Sequence, residues 1–385
     1  MTIKNYINTK LLNQFFPIND RVYENMLNDF CKHYEISSEF KSQKVFYSGD
    51  GYTVIPENER NFFKFIYAFK EIHNIDKSLF YLIPDVLVTH PLGVSIINNK
   101  RIIMNSVKNN SIYLNKSGFI KSYIEYKFMK DIESIDCAIL AVDILGINYF
   151  HFINDVLTNF PVFDIYINKF GIRPKVIIQQ NAPKFQTEWL ELLGVKSDDL
   201  IEIHRSIKVK KLLVPTQHNT SIPNSYSSNK FYLLDKKSFD WIRNKVNISI
   251  PKNIVRDKIY ISRPNNSQRS IANEKILFRM LKKYGFKKFL LETMTVRDQI
   301  IKFSNSSFVI GAHGAAFTNL ILSSSCVVIE LYPKGRYSES TMTYYQISQM
   351  YGLKHYLINS ECVSPNENII ADVSLIEKIV KNSLI

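Results

Sequence analysis

Residues 311–319 read GAHGAAFTN, and the apolar run Ser307–Ile310 leads straight into them. The run reads as a buried strand and the residues after Gly314 as the opening of a helix, so both glycines fall where strand turns into helix. Free backbone N–H groups and the positive end of a helix dipole meet in such a turn, and residues without side chains let a phosphate approach the backbone. Gly311 and Gly314 supply that access. His313, between them, is placed to donate a further hydrogen bond to a phosphate oxygen, since a bulky polar residue there has no evident packing role.

Working outward, four apolar runs (Lys258–Ser262, Lys287–Leu291, Ser307–Ile310, Val327–Leu331) alternate with helical patterns, which predicts a parallel βαβ series. In open sheets of this kind ligands sit beyond the carboxyl ends of the strands. Those ends carry Ser262 and Arg263, then Glu292, then Gly311 to Gly314, then Glu330. The run YISRPNNSQRS from Tyr260 puts Arg263 and Arg269 in one loop, and two guanidinium forks suit a diphosphate better than lysines would. Glu292 and Glu330 each end an apolar strand, where either holds ribose or sugar hydroxyls or caps the following element. Asn273 and Glu274 read as an ordinary helix start. The helix they open has Ile276, Leu277, Met280, Leu281 and Tyr284 on one face and stops at Gly285, and the next begins with the capping-box spacing of Thr295 and Asp298.

These motifs together (YISR…R…NE, Glu292, GAHGAAFTN and VVIELYP) resemble the signatures of the family 61 glycosyltransferases, whose members include plant xylosyl- and arabinosyltransferases, secretory-pathway O-GlcNAc transferases and bacterial polysaccharide or capsule enzymes. The resemblance covers about the last two-thirds of the chain. It implies an α/β chain of GT-B type, two Rossmann-like doubly wound domains facing across a cleft. It also implies an inverting, metal-independent glycosyltransferase that moves a sugar from a UDP-sugar, xylose or N-acetylglucosamine, to a hydroxyl of a cell-surface polysaccharide or lipid-linked glycan. Arg263, Arg269, Glu292, Gly311, His313, Gly314, Ala315, Asn319 and Glu330 are then the candidate donor-binding residues. Ala316 stands where the family commonly has Gly, which adds a methyl at the helix start.

The chain of 385 residues, 45% of them hydrophobic, is long enough for two cores. Residues 1–215 are expected to form the acceptor-side domain with an N-terminal extension. Residues 216–385 form the donor domain, with the boundary where VPTQHNTSIPN (Val214–Asn224) loses periodicity, and with a last helix, Asp372–Asn382, expected to pack back on the first domain. Residues Tyr23–Tyr34 and the aromatic-rich Asn61–Ile72 read as helices, and Leu87–Met104 as strands turning at Asn98 and Asn99. Four cysteines without CxxC spacing imply no disulfide framework. The opening MTIKNYINTK lacks an apolar leader core and no run approaches the ~20 apolar residues of a span, so a cytoplasmic location is expected. The net charge of +14 suits a nucleotide-sugar donor, an acidic glycan or peripheral contact with an anionic inner membrane face. Nucleic acid is not expected, since neither a zinc-finger spacing nor an RRM-like run is present.

From Asp136 the pattern is again strand, helix, strand, helix: Cys137–Val142, Tyr149–Asn168 with Pro161 as a kink, Lys175–Ile178, and Lys184–Leu193 ended by Gly194. The run NYFHFIND from Asn148 holds a second constellation. His151 and Asp155 lie one helical turn apart and Asn148 one turn earlier, so all three share a face just past a strand end. Family members carry a similar N-x-x-H-x-x-x-D run. Inverting transfer needs a base for the acceptor hydroxyl proton; Asp155 is the candidate, with His151 orienting it or serving in its place. An ordinary aspartate pKa of about 3.9 makes a poor base, so burial of the carboxylate is required. The structural alternative is a His–Asp hydrogen bond that only fixes the fold. No DxD run for a nucleotide-bound cation is present, no cofactor is expected beyond the donor, and the lack of GxGxxG with a following acid speaks against a nicotinamide enzyme. A catalytically silent nucleotide-sugar or glycan-binding module is the alternative function.

Overall fold

The computed structural model describes residues 79–97 (except 92), 101–103, 123–128 (except 125), 131–215 (except 144), 221–223, 230–232, 234, 236–246, 256–264, 268–334, 343–363 and 368–384, together with short strands at 21–22, 32–35, 43–46 and 72–75. Two compact units emerge, the first built on Ile75–Asn219 and the second on Arg243–Ile385. Among the described residues no helix is long and apolar enough to cross a membrane. The helices expected at Tyr23–Tyr34 and Asn61–Ile72 fall mostly outside these residues; Lys32–Glu35 is a strand against residues 79–82 and Ile72–Ile75 is a strand too.

Unit 1 carries a ten-stranded sheet. Its strands include β1 (Leu79–Thr89), β2 (Val94–Ile97), β3 (Arg101–Ile103), β4 (Ala138–Leu140), β5 (Lys175–Gln179), β6 (Leu200–Ile203) and β7 (Ile207–Pro215), in the order β3-β2-β1-β7-β4-β5-β6. Strands β4, β5 and β6 are parallel to one another and β7 is parallel to β4, as a doubly wound unit requires. Past β7 the sheet turns antiparallel through β1, β2 and β3, so it is mixed rather than purely doubly wound. The sequence of β7 explains its place at the change: Ile207 and Val209 are buried while Lys208 and Lys210 are exposed, and then Leu212–Val214 are buried without alternation.

The expected single helix over Tyr149–Asn168 is four pieces: an α-turn at Tyr149–His151, a π-helix at Phe152–Val156, a 3-10 turn at Leu157–Asn159, and α1 at Pro161–Phe170. Pro161 starts α1, where its missing N–H costs nothing. Thr158 Oγ1 donates to the Asn154 carbonyl at 2.6 Å and Asn159 Nδ2 to the Asp155 carbonyl at 2.9 Å, so side chains serve carbonyls that the wide turn presents. Helix α2 (Lys184–Leu192) follows β5 and buries Trp189 and Leu190.

In unit 2, β8 (Asp257–Ile261), β9 (Lys287–Phe289), β10 (Ser306–Ala312), β11 (Val327–Pro333) and β12 (Lys354–Cys362) are all parallel, and β13 (Ile369–Ile370) adds antiparallel to β12. The spatial order is β9-β8-β10-β11-β12-β13. Between them run α3 (Glu274–Lys283), α4 (Val296–Ser304), a 3-10 helix (Ala315–Leu322) and α5 (Thr343–Met350), and α6 (Val373–Asn382) closes the chain. The chain runs from β8 outward to β9, then crosses to β10, so the strand order reverses between β8 and β10; such a switch point opens a crevice at the carboxyl ends. Helix α6 packs within its own unit. Its Ile376, Ile379 and Val380 share one buried core with Leu277 and Met280 of α3. Leu277 is fully buried there, and Leu277→Ala is expected to lower unfolding free energy by about 2–5 kcal/mol, read as a fall in the urea midpoint.

Candidate functional site

The crevice at the β8/β10 switch point is a cavity of about 470 Å³ whose walls include Tyr260, Arg263, Arg269, Ser270, Glu274 and Ala312, a size that fits a small ligand. Both arginines aim at one backbone oxygen. Arg263 Nη2 donates to the His313 carbonyl at 2.7 Å and Arg269 Nη1 to the same carbonyl at 3.0 Å, while Arg263 Nη1 reaches the Gln268 carbonyl at 3.0 Å. Neither guanidinium meets a carboxylate within ion-pair distance among the described residues. Burial and then the neighbouring Arg269 push the Arg263 guanidinium down to about 10, with Glu292 opposing; it stays charged at neutral pH. Arg269 holds a left-handed backbone (φ 62), and its Nε is buried without a partner among the described residues. Two close cations facing only carbonyl oxygens leave positive charge that an anion would neutralise.

Gly314 makes this convergence possible. A Cβ built there would lie 1.9 Å from Arg263 Nη2, so the guanidinium occupies the space of the missing side chain. Gly311 serves packing instead: a Cβ there would stand 3.0 Å from the Ile261 Cβ and 3.3 Å from its carbonyl, across β8 and β10. The expected helix after Gly314 is a 3-10 helix starting at Ala315.

Other expected positions are placed differently. The His313 ring is not in the cavity wall. It turns to Glu330, Nδ1 against Oε1, with ring centroids 4.7 Å from Tyr332 and 5.2 Å from Tyr344, so it has the packing role that the sequence did not reveal. Glu330 is only 1% exposed and its other oxygen lies 3.1 Å from His355 Nε2, which leaves it committed to two imidazoles rather than to ribose. Burial would raise the Glu330 carboxyl, but His313 and His355 more than offset this and hold it down at about 2. Asn319 is fully buried and donates to Gln299 Oε1 at 2.9 Å, tying the 3-10 helix to α4. Glu292 is exposed in a 3-10 turn. Asn273 pairs with both main-chain groups of Ala371 at 2.8 and 2.9 Å, as a helix-start tie should.

Sequence reasoning missed two residues. Glu274 lines the cavity, and Ser262 Oγ (2.6 Å), Tyr260 OH (3.1 Å) and Lys288 Nζ (2.7 Å) all donate to it; its match to the NE motif was the available signal. His355 had only its place in an apolar strand run.

In unit 1, His151 Nδ1 meets Asp155 Oδ2 at 2.8 Å and Asn154 Nδ2 donates to Asp155 Oδ1 at 3.1 Å. The side chains are 19% and 7% exposed respectively. The π-turn that holds this pair is of a kind frequent at functional sites. Asn148 does not join them: its Oδ1 accepts from the Phe150 N–H at 2.9 Å, which makes it the helix N-cap. Among the described residues no group of three or more His, Cys, Asp or Glu is arranged to hold a metal ion.

A parallel sheet of this order is an α/β architecture, and its switch-point crevice is where ligands commonly sit in such sheets. Residues 149–329 match the family model described as Glycosyltransferase 61. Among solved structures, a dodecameric iron-containing heptosyltransferase, TibC, in complex with ADP-D-beta-D-heptose is similar at 9% identity, over 63% of this chain and 63% of that one, with a TM-score of 0.24. So distant a likeness carries no argument, and the chain spans less than two thirds of that protein's length. No curated protein matches.

Gly314→Ala is expected to displace Arg263 without unfolding the chain, and so to weaken by about tenfold or more whatever binding of inorganic pyrophosphate calorimetry records for the parent. Because Glu330 is depressed from 4.5 to about 2, its contribution to stability is whole above pH ~4.5 and fades as pH falls toward ~2. Glu330→Gln should therefore flatten the acid side of the stability profile between those values, measured as melting temperature against pH.

Proposed function

We propose that the protein transfers a sugar, with inversion and without a metal ion, from a UDP-sugar (xylose or N-acetylglucosamine) to a hydroxyl of a cell-surface polysaccharide or lipid-linked glycan at the cytoplasmic face of the membrane. The observation that carries this reading is the pair Arg263 and Arg269, converging in one cavity with no carboxylate at ion-pair distance among the described residues. A departing nucleoside diphosphate needs its developing charge stabilised, and two fixed guanidiniums supply that in place of a cation. Glu274 adds a carboxylate on the same wall for donor hydroxyls.

The His151–Asp155 pair supplies the base. Asp155 is the more buried partner and both its oxygens are engaged, whereas His151 is the more exposed. This supports a division of labour in which Asp155 accepts the Nδ1 hydrogen and holds the ring, and His151 takes the acceptor hydroxyl proton at Nε2. The GT-B arrangement expected from the sequence is part of the proposal. The same engagement of Asp155 within its own turn also supports the second reading, a silent nucleotide-sugar or glycan-binding module whose His–Asp pair is a structural tie.

UDP and UDP-sugars should raise the melting temperature, and transfer or donor hydrolysis should persist in EDTA; activity lost to the chelator and restored by a divalent cation would end the metal-free proposal. His151→Ala and Asp155→Asn are each expected to slow transfer by about 10²–10⁴-fold with UDP affinity unchanged. Turnover retained in both variants would remove the base assignment, and UDP binding without turnover over many acceptors would favour the silent module.

A further inference from the structure

Behind the glycine turn of unit 2 runs a buried chain of polar side chains that the cavity itself does not account for. Glu330 lies in β11 and His355 in β12, and the parallel register pairs His355 with Val328, so the two side chains leave the same sheet face from adjacent strands. Helix α5 supplies Ser348, whose Oγ is 2.7 Å from His355 Nδ1. His355 Nε2 lies 3.1 Å from Glu330 Oε2, within ion-pair distance though not aligned as a hydrogen bond. Glu330 Oε1 takes the Nδ1 hydrogen of His313. The His313 carbonyl receives both arginines.

The two imidazoles flank the carboxylate on either side, and together they hold it in its ionised form against the cost of burial. Around Glu330 stand His313 from the turn, His355 from β12 and Tyr344 from α5, with Arg263 and Arg269 acting on Tyr344 in turn. Apolar residues of similar volume commonly stabilise such a site as well as or better than buried charge does. A reason other than packing is therefore called for, and the far end of the chain supplies one.

We propose that His355 and Glu330 are positioning residues for the phosphate cavity: through the His313 ring they fix the carbonyl on which Arg263 and Arg269 converge, and so set the guanidiniums for a diphosphate. The inference rests on the donor reading above and deepens it.

The test uses the full chain with isotope-labelled histidine, and inorganic pyrophosphate and UDP as probes. His355→Leu should weaken both probes about tenfold or more, while His355→Gln, whose amide can donate to Glu330, should stay within about threefold of the parent. A merely structural role would not separate the two variants. In imidazole nitrogen spectra, His313 should be the Nδ1–H tautomer in the parent and a tautomer mixture in His355→Leu. Equal affinities in all three proteins with an unchanged His313 tautomer would overturn the inference. If the parent binds neither probe, the donor reading fails, and the tautomer alone then decides: a change in His355→Leu supports the coupling and no change refutes it. Should His355→Leu fail to fold, Glu330→Gln, which keeps the side-chain shape, is read in the same two ways.

Discussion

Two guanidiniums share one carbonyl oxygen, and most of unit 2 is arranged so that they can. Like charges this close repel, and burial adds to the cost of each. Arg263 and Arg269 are held there because Gly314 leaves space for one, and a left-handed backbone at 269 aims the other. Among the described residues no carboxylate comes within ion-pair distance of either one, and Glu292 acts on Arg263 only from farther off. Backbone oxygens hold the geometry in place of carboxylates.

That local device depends on the sheet around it. Because β8 lies between β9 and β10, its end at Ser262 and Arg263 opens beside the end of β10 at Ala312, and the two loops cannot help facing each other. Ser262 and Tyr260 are tied through Glu274 to the first turn of α3, and Asn273 ties that turn to Ala371. The cavity wall is thereby braced from the strand, from the helix and from the edge of the sheet. Unit 1 uses a different means. There a π-turn, rather than a regular helix, carries Asp155 inward with His151 as its outer partner.

Much of this was legible from residues alone, for identifiable reasons. Strands β8, β10 and β11 show as apolar runs because both faces of a parallel sheet are covered, whereas the edge strand β9 exposes Lys287 and Lys288. That Gly314 and the paired arginines meet was legible because all of them fall at strand ends on one edge of the sheet. The His151–Asp155 contact follows from a four-residue interval. Roles that depend on which way a side chain turns were not legible. His313 and Glu330 both stand at strand ends and both looked like ligand contacts, yet they bond to each other; Asn148 proved a cap and Asn319 a tie to Gln299.

The sequence by itself determined the periodicities, hence the strands, the helices and the edge of the sheet where polar residues gather, since these follow from short-range sterics and from apolar spacing. Tertiary structure alone decided that the unit 1 sheet is mixed, that Tyr149–Phe170 breaks into four helical pieces, and that α6 joins the core of its own unit. It also decided that His355, distant in the chain, completes a buried network with Glu330. The physical reason is common to these cases: burial and hydrogen-bond partners come from residues far apart in the chain, and no local pattern states which of two polar groups on one face will find the other.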